Sequence, residues 1–158
     1  MFKSFIFIVA FLVTNTYADS KLSVDKNSSK SSVKKKKTLS GKNLVVFVNS
    51  EDLQQAGMGL GLALSGVKQG ANVTIVLGAN AIKYALKEGN QNIYFAKEKI
   101  PRELIQKAIK SGATVQLCSA NTEAMELDEE EFVEGVKIVI SPQIFKKVFE
   151  EGTRVISF

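Results

Sequence analysis

Histidine and tryptophan are absent from the 158 residues, cysteine occurs once and proline twice. Without imidazole there is no Ser-His-Asp triad, no Cys-His pair and no histidine-ligated metal. The lone Cys118 excludes an internal disulfide and any CxxC zinc or redox pair. Long apolar runs are scarce as well. The N-terminal one, Phe5 to Val13, has nine residues, about half of the ~20 that a membrane-spanning helix needs. A net positive charge is missing from most of the chain despite the overall +5. Residues 1–42 hold nine Lys against two Asp, and residues 43–158 hold twelve Lys and Arg against fourteen Asp and Glu. The basic balance therefore belongs to the N-terminal segment. The mildly acidic remainder argues against nucleic acid as a partner.

That segment reads as an address followed by a tether. Lys3 supplies a positive start, Phe5 to Val13 an apolar stretch, and Thr14 to Ala18 a small, polar end. This is the three-part layout of a secretory signal peptide. Thr16 and Ala18 suit the −3 and −1 positions, so residues 1–18 are expected to be removed, giving a periplasmic or secreted protein with no stable membrane insertion. No Cys near the cleavage point offers a lipid anchor. Residues 19–42, with SSKSS and then KKKK, are too polar to build a core and read as a disordered Ser/Lys-rich linker. Lys34 to Lys37 read as a solvated spacer.

Residues 43–158 alternate two periodicities. Leu44–Val48, Val73–Leu77, Thr114–Leu117, Val136–Ile140 and Val155–Phe158 are short apolar runs rich in β-branched residues, as expected of strands buried on both faces of a parallel sheet. Between them, Leu60, Leu64 and Val67 recur at helical spacing. So do Leu104, Ile105, Ala108 and Ile109, and then Ile144, Phe145, Val148 and Phe149. Gly70, Gly89, Gly112 and Gly152 follow helical stretches as C-terminal caps. Asp128 with Glu131 resembles a capping box, closed by Gly135. Ser141-Pro142 reads as N-cap and N1, and Pro101 as another N1. The pattern predicts an α/β fold: a three-layer α/β/α sandwich with a mainly parallel five-stranded sheet.

Sites in open α/β sheets form at the carboxyl ends of strands. The rule nominates Asn49-Ser50-Glu51-Asp52, Gly78-Ala79-Asn80, Cys118-Ser119-Ala120-Asn121 and Ser141. Gly57-Met58-Gly59-Leu60-Gly61 fits neither GxGxxG, since residue 62 is Leu, nor a Walker loop. Its glycines suit close packing of a helix on the sheet or on a neighbour. The acidic stretch Glu123 to Glu134 lacks the spacing of a calcium loop and reads as a solvated face, so no metal is expected. Cys118 is the candidate that carries chemistry. It ends a predicted strand where a helix begins, so that N–H groups of Ser119, Ala120 and Asn121 face a thiolate, the form of cysteine that accepts or donates sulfur. The alternative is a small buried hydrophobe.

In order and spacing, Leu44 to Phe158 resembles the DsrE/DsrF-like family of sulfur-relay proteins. The resemblance runs through the first strand ending in Asn49-Ser50-Glu51, a helix over 57–69 closing in Gln69-Gly70-Ala71-Asn72-Val73-Thr74, the stretch Ser111 to Ala120, Leu127 to Ile140 with Glu134-Gly135-Val136, and Arg154 to Phe158. It implies a three-layer α/β domain over 43–158, assembly as a homo-oligomer (trimer or hexamer), and no metal or organic cofactor. Cys118 falls where active members carry sulfur as a persulfide. A sulfurtransferase or sulfur carrier would take its sulfur from a donor protein and pass it to an acceptor. Ser119, Asn121, Asn49 and Ser50 would line the crevice. The rival expectation is a non-catalytic small-molecule or protein-binding module in which Cys118 only packs.

The signal-peptide reading sets the mature N-terminus at Asp19. N-terminal sequencing of protein recovered from the host's periplasm checks it, and an intact Met1–Ala18 segment in membrane-bound material defeats it.

Overall fold

The computed structural model describes residues 38–89, 92 and 100–158. The expected signal peptide, and the linker as far as Lys37, lie outside the described residues. The elements are β1 (Asn43–Val48), α1 (Leu53–Lys68), β2 (Asn72–Leu77), a 3₁₀ helix (Ala79–Ala85), α2 (Pro101–Lys110), β3 (Thr114–Cys118), α3 (Ser119–Ala124), a 3₁₀ turn (Glu129–Glu131), β4 (Val136–Val139), α4 (Ser141–Val148) and β5 (Thr153–Ser157). The five strands form one sheet in the order β4-β3-β2-β1-β5. Every pairing is parallel.

Topology decides which face each helix covers. From β1 to β4 the chain steps across the sheet in one direction, and right-handed crossovers keep the intervening helices on one side. The step from β4 to β5 runs back past β1, so α4 falls on the other side. The cores agree. Val46, Val48, Val73, Ile75, Leu77, Val115 and Leu117 pack with Leu60, Leu64, Leu104 and Ile105 of α1 and α2. Val45, Val76 and Val139 pack with Ile144 of α4, and Phe47, Cys118 and Val148 border them. The expected three layers are present, but they are unequal. Among the described residues, the second face is covered by an eight-residue helix alone.

Local signals operate as the sequence suggests. Gly70, Gly112, Gly135 and Gly152 all adopt positive φ, and Asp128 with Glu131 forms the capping box. Pro101 starts α2. Several expectations need correction. Ser141 is the first residue of α4 and Ile140 its N-cap, and Gly135 and Gly152 lie three residues beyond the C-caps Phe132 and Phe149, in turns that lead into β4 and β5. The stretch before Gly89 is a 3₁₀ helix ending at Ala85, so Gly89 does not cap an α-helix. Phe145 and Phe149 do not enter the core. They are 57% and 79% exposed and stack on each other with centroids 6.0 Å apart, because the stripe of α4 facing the sheet is Ile144 and Val148. Residues 38–42, assigned to the disordered linker, form a turn of the domain. The Leu39 N–H donates to Gln69 O at 3.0 Å, Asn72 N–H donates to Lys42 O at 2.8 Å, and Leu39 packs on the core.

The α1 glycines divide by what surrounds them. A Cβ on Gly59 would lie 2.8 Å from the Phe158 ring and 3.1 Å from Val48, so this glycine sets the helix against the sheet. A Cβ on Gly61 meets nothing within 4 Å. Gly59→Ala is therefore expected to destabilise the domain by about 1–3 kcal/mol through overpacking. Gly61→Ala is expected to stabilise it by about 0.5–1 kcal/mol through helix propensity. Thermal unfolding of the two variants, moving in opposite directions, checks the assignment.

Candidate functional site

Cys118 sits at the place where the crossover direction changes. Helix α3, which follows β3, lies on the first face, since Met125 and Leu127 at its end pack on the larger core. Helix α4, which follows β4, lies on the second. Adjacent strands whose outgoing chains part to opposite faces leave a crevice at their carboxyl ends. Here those strands are β3 and β4, paired at Cys118 and Val139. Cys118 is the last residue of β3 and the N-cap of α3, with extended backbone angles (φ −72°, ψ 120°). Its thiol makes no capping hydrogen bond. It is half-buried and borders the small apolar cluster beneath α4.

The chain ends around it are shaped by a glycine. The β2–β3 register runs to Leu77 opposite Leu117, so Gly78 comes next, level with Cys118 and about 4.8 Å away across the sheet. A Cβ on Gly78 would lie 2.5 Å from Asn49 Oδ1 and 3.7 Å from Asn121 Oδ1. Lacking one, Gly78 admits the Asn49 carboxamide over the β2 terminus. Of the residues expected to line the crevice, Asn49 and Asn121 thus converge beside the Cys118 strand end. Ser119, half-buried, starts α3 directly after Cys118, and its carbonyl accepts the Thr122 hydroxyl at 2.9 Å. Ser50 is engaged elsewhere. Its Oγ accepts the Asp52 N–H at 3.0 Å and its own N–H donates to Phe158 O at 3.3 Å, so it shapes the entry to α1.

The loop carrying Asn49 is tied from below. The Tyr84 hydroxyl donates to Glu51 O at 2.6 Å. Burial pushes the Tyr84 phenol above its ordinary range, Lys83 opposes this, and Asp52 and Glu51 add to it. The neutral, donating form is therefore retained into alkaline solution. Lys83 reaches the Glu51 carboxylate at 3.0 Å, but both side chains are exposed, so the pair adds little stability.

Two residues were not singled out from the sequence. Gly78 sat within a nominated strand end, but only the register shows what its missing side chain makes room for. Gln116 is the polar residue inside the apolar run TVQLC, and it is buried. A polar residue amid a strand that is apolar on both faces was the available signal. Among the described residues no group of three or more Asp, Glu or Cys is placed to hold a metal ion. No helix among them is long and apolar enough to cross a membrane. A cavity of about 420 Å³ lined by Leu86, Lys87, Glu88, Gly89, Glu130 and Glu131 shares no residue with the Cys118 group.

Comparison with known proteins follows the fold. The model of the DsrE/DsrF-like family matches residues 42–158. An uncharacterized protein of Methanocaldococcus jannaschii, MJ0989, is 31% identical over 107 residues, covering 66% of this chain and 88% of that protein. Among solved structures, the ychN protein from E. coli superposes with a TM-score of 0.63 at 15% identity, over 74% of this chain and 99% of that one. MTH1491 from Methanobacterium thermoautotrophicum, a protein of unknown function, gives 0.59 at 14% identity over 74% and 99%. BT1422 from Bacteroides thetaiotaomicron, likewise of unknown function, gives 0.56 at 14% over 74% and 95%.

Proposed function

Because the chain belongs to the DsrE/DsrF-like family, we propose that it is an exported sulfur carrier, a sulfurtransferase in which Cys118 holds sulfur as a persulfide. The observation that carries this reading is the position of Cys118. It is a half-buried thiol at the carboxyl end of β3, where the crossover direction changes, level with Gly78, over which the Asn49 carboxamide lies. The Cys118 thiolate attacks the terminal sulfur of a donor persulfide, R–S–SH. A new S–S bond forms to Cys118, the donor's S–S bond breaks, and the electron pair leaves on the donor as R–S⁻. The proton stays on the transferred sulfur. Nothing is oxidised or reduced overall, so this chemistry calls for no metal or organic cofactor. Attack by an acceptor cysteine repeats the step in reverse roles.

Incubation with inorganic polysulfide, followed by intact-mass analysis, tests the carrier. The expected result is a gain of sulfur that reductant removes, with none on Cys118→Ser. If folded protein resists alkylation at Cys118 and gains no sulfur, the thiol is a packing residue and the binding-module reading replaces this one.

We also propose a homo-oligomer, a trimer or hexamer. The support is family membership together with the apolar surface around α4, where Ile140, Phe145 and Phe149 are 55%, 57% and 79% exposed. Gly59, turned to the sheet, contributes nothing to such a contact, while Gly61 remains open to one. Light scattering is expected to give a mass above one chain, and substitution of Phe145 and Phe149 by Ser to lower it. A monomer across micromolar concentrations overturns the proposal.

A further inference from the structure

Gln116 is a buried polar group that the fold does not account for. It is 8% exposed, and its Oε1 is buried without a hydrogen-bond partner. The neighbours in register on its two sides are Val76 on β2 and Lys137 on β4. Val76 belongs to the cluster beneath α4, and Lys137 is exposed. An unpaired acceptor in such a place destabilises the folded state, whereas an apolar side chain of the same length would simply pack.

The pleat relates Gln116 to Cys118. Val115 and Leu117 point into the larger core, so Gln116 and Cys118 project from the opposite face. Two residues along a strand are about 6.6 Å apart. The Cys118 thiol as it stands does not donate to Gln116 Oε1. A second sulfur on Cys118 extends that side chain by one S–S bond of about 2.05 Å and ends in an S–H donor. Oε1 thus has no donor in the unloaded protein, and loading supplies one on the same face of the same strand.

Building on the carrier reading of Cys118, we propose that Gln116 Oε1 accepts the terminal S–H of the Cys118 persulfide and so holds the transferred sulfur in the crevice. The bond changes are those of the transfer step above, and the proton that remains on the incoming sulfur is the one Gln116 receives. The role belongs to the loaded state alone.

The test compares the full chain with Gln116→Met, which keeps length and loses the acceptor oxygen. Both are loaded with inorganic polysulfide, freed of excess reagent and exposed to a small-molecule thiol. The expected result is that sulfur on Cys118 is lost about three- to tenfold faster in the variant, the change that one lost hydrogen bond brings. The alkylation rate of unloaded Cys118 is expected to stay the same, and thermal stability not to fall. Equal retention in the two proteins, with wild type loading normally, overturns the role of Gln116 and leaves the carrier reading standing. Alkylation and retention changing together shows a general disturbance of the strand end and also overturns it. Failure of wild type to load overturns both. If Gln116→Met does not fold, Gln116→Leu is read in the same way.

Discussion

Parallel strands can be joined only by crossovers, and the right-handed rule fixes the side on which each crossover lies. In this chain that constraint determines nearly everything else. Three successive steps in one direction place α1, α2 and α3 on one face, and a single return step places α4 on the other. The larger core, the thinner second layer and the parting of the chain beyond β3 and β4 all follow from the strand order. Cys118 acquires its surroundings from topology more than from its immediate neighbours in sequence.

The inequality of the two layers shapes the surface chemistry. On the first face, strand residues meet long helices and are sealed, as with Val46, Val48, Leu77 and Leu117. On the second, α4 contributes Ile144 and Val148 toward the sheet and turns Phe145 and Phe149 outward. Polar side chains also enter this face. Thr74 and Gln116 are buried there beside Val45, Val76 and Val139. A parallel sheet normally favours apolar residues on both sides, so a face that mixes a thiol, an amide and a hydroxyl among valines has retained groups that packing alone does not require.

Much of the fold was legible because parallel strands and their caps speak in local terms. The five apolar runs became the five strands, shifted by a residue or two at their ends, and positive-φ glycines marked helix ends at Gly70 and Gly112. What was not legible depended on relations between distant segments. Helical spacing could not say which stripe of α4 would face the sheet, since Ile144/Val148 and Phe145/Phe149 carry the same period. Leu39 looked like part of a polar segment until its pairing with Gln69 showed it to be anchored. At the candidate site, Cys118, Asn49 and Asn121 were legible as strand-end residues. Their convergence over Gly78 required the β2–β3 register, and Ser50 was drawn into a turn that its sequence neighbours do not announce.

The turn at Thr38–Lys42 carries a spatial consequence. Its hydrogen bonds to Gln69 and Asn72 fix the entrance of the chain at the amino end of the sheet, whereas Cys118 stands at the carboxyl end. Strands of five or six residues separate the two, a distance of about 17–20 Å. The amino pole of the sheet is thus given over to clamping the domain's first turn, and the carboxyl pole, clear of that clamp, carries the thiol.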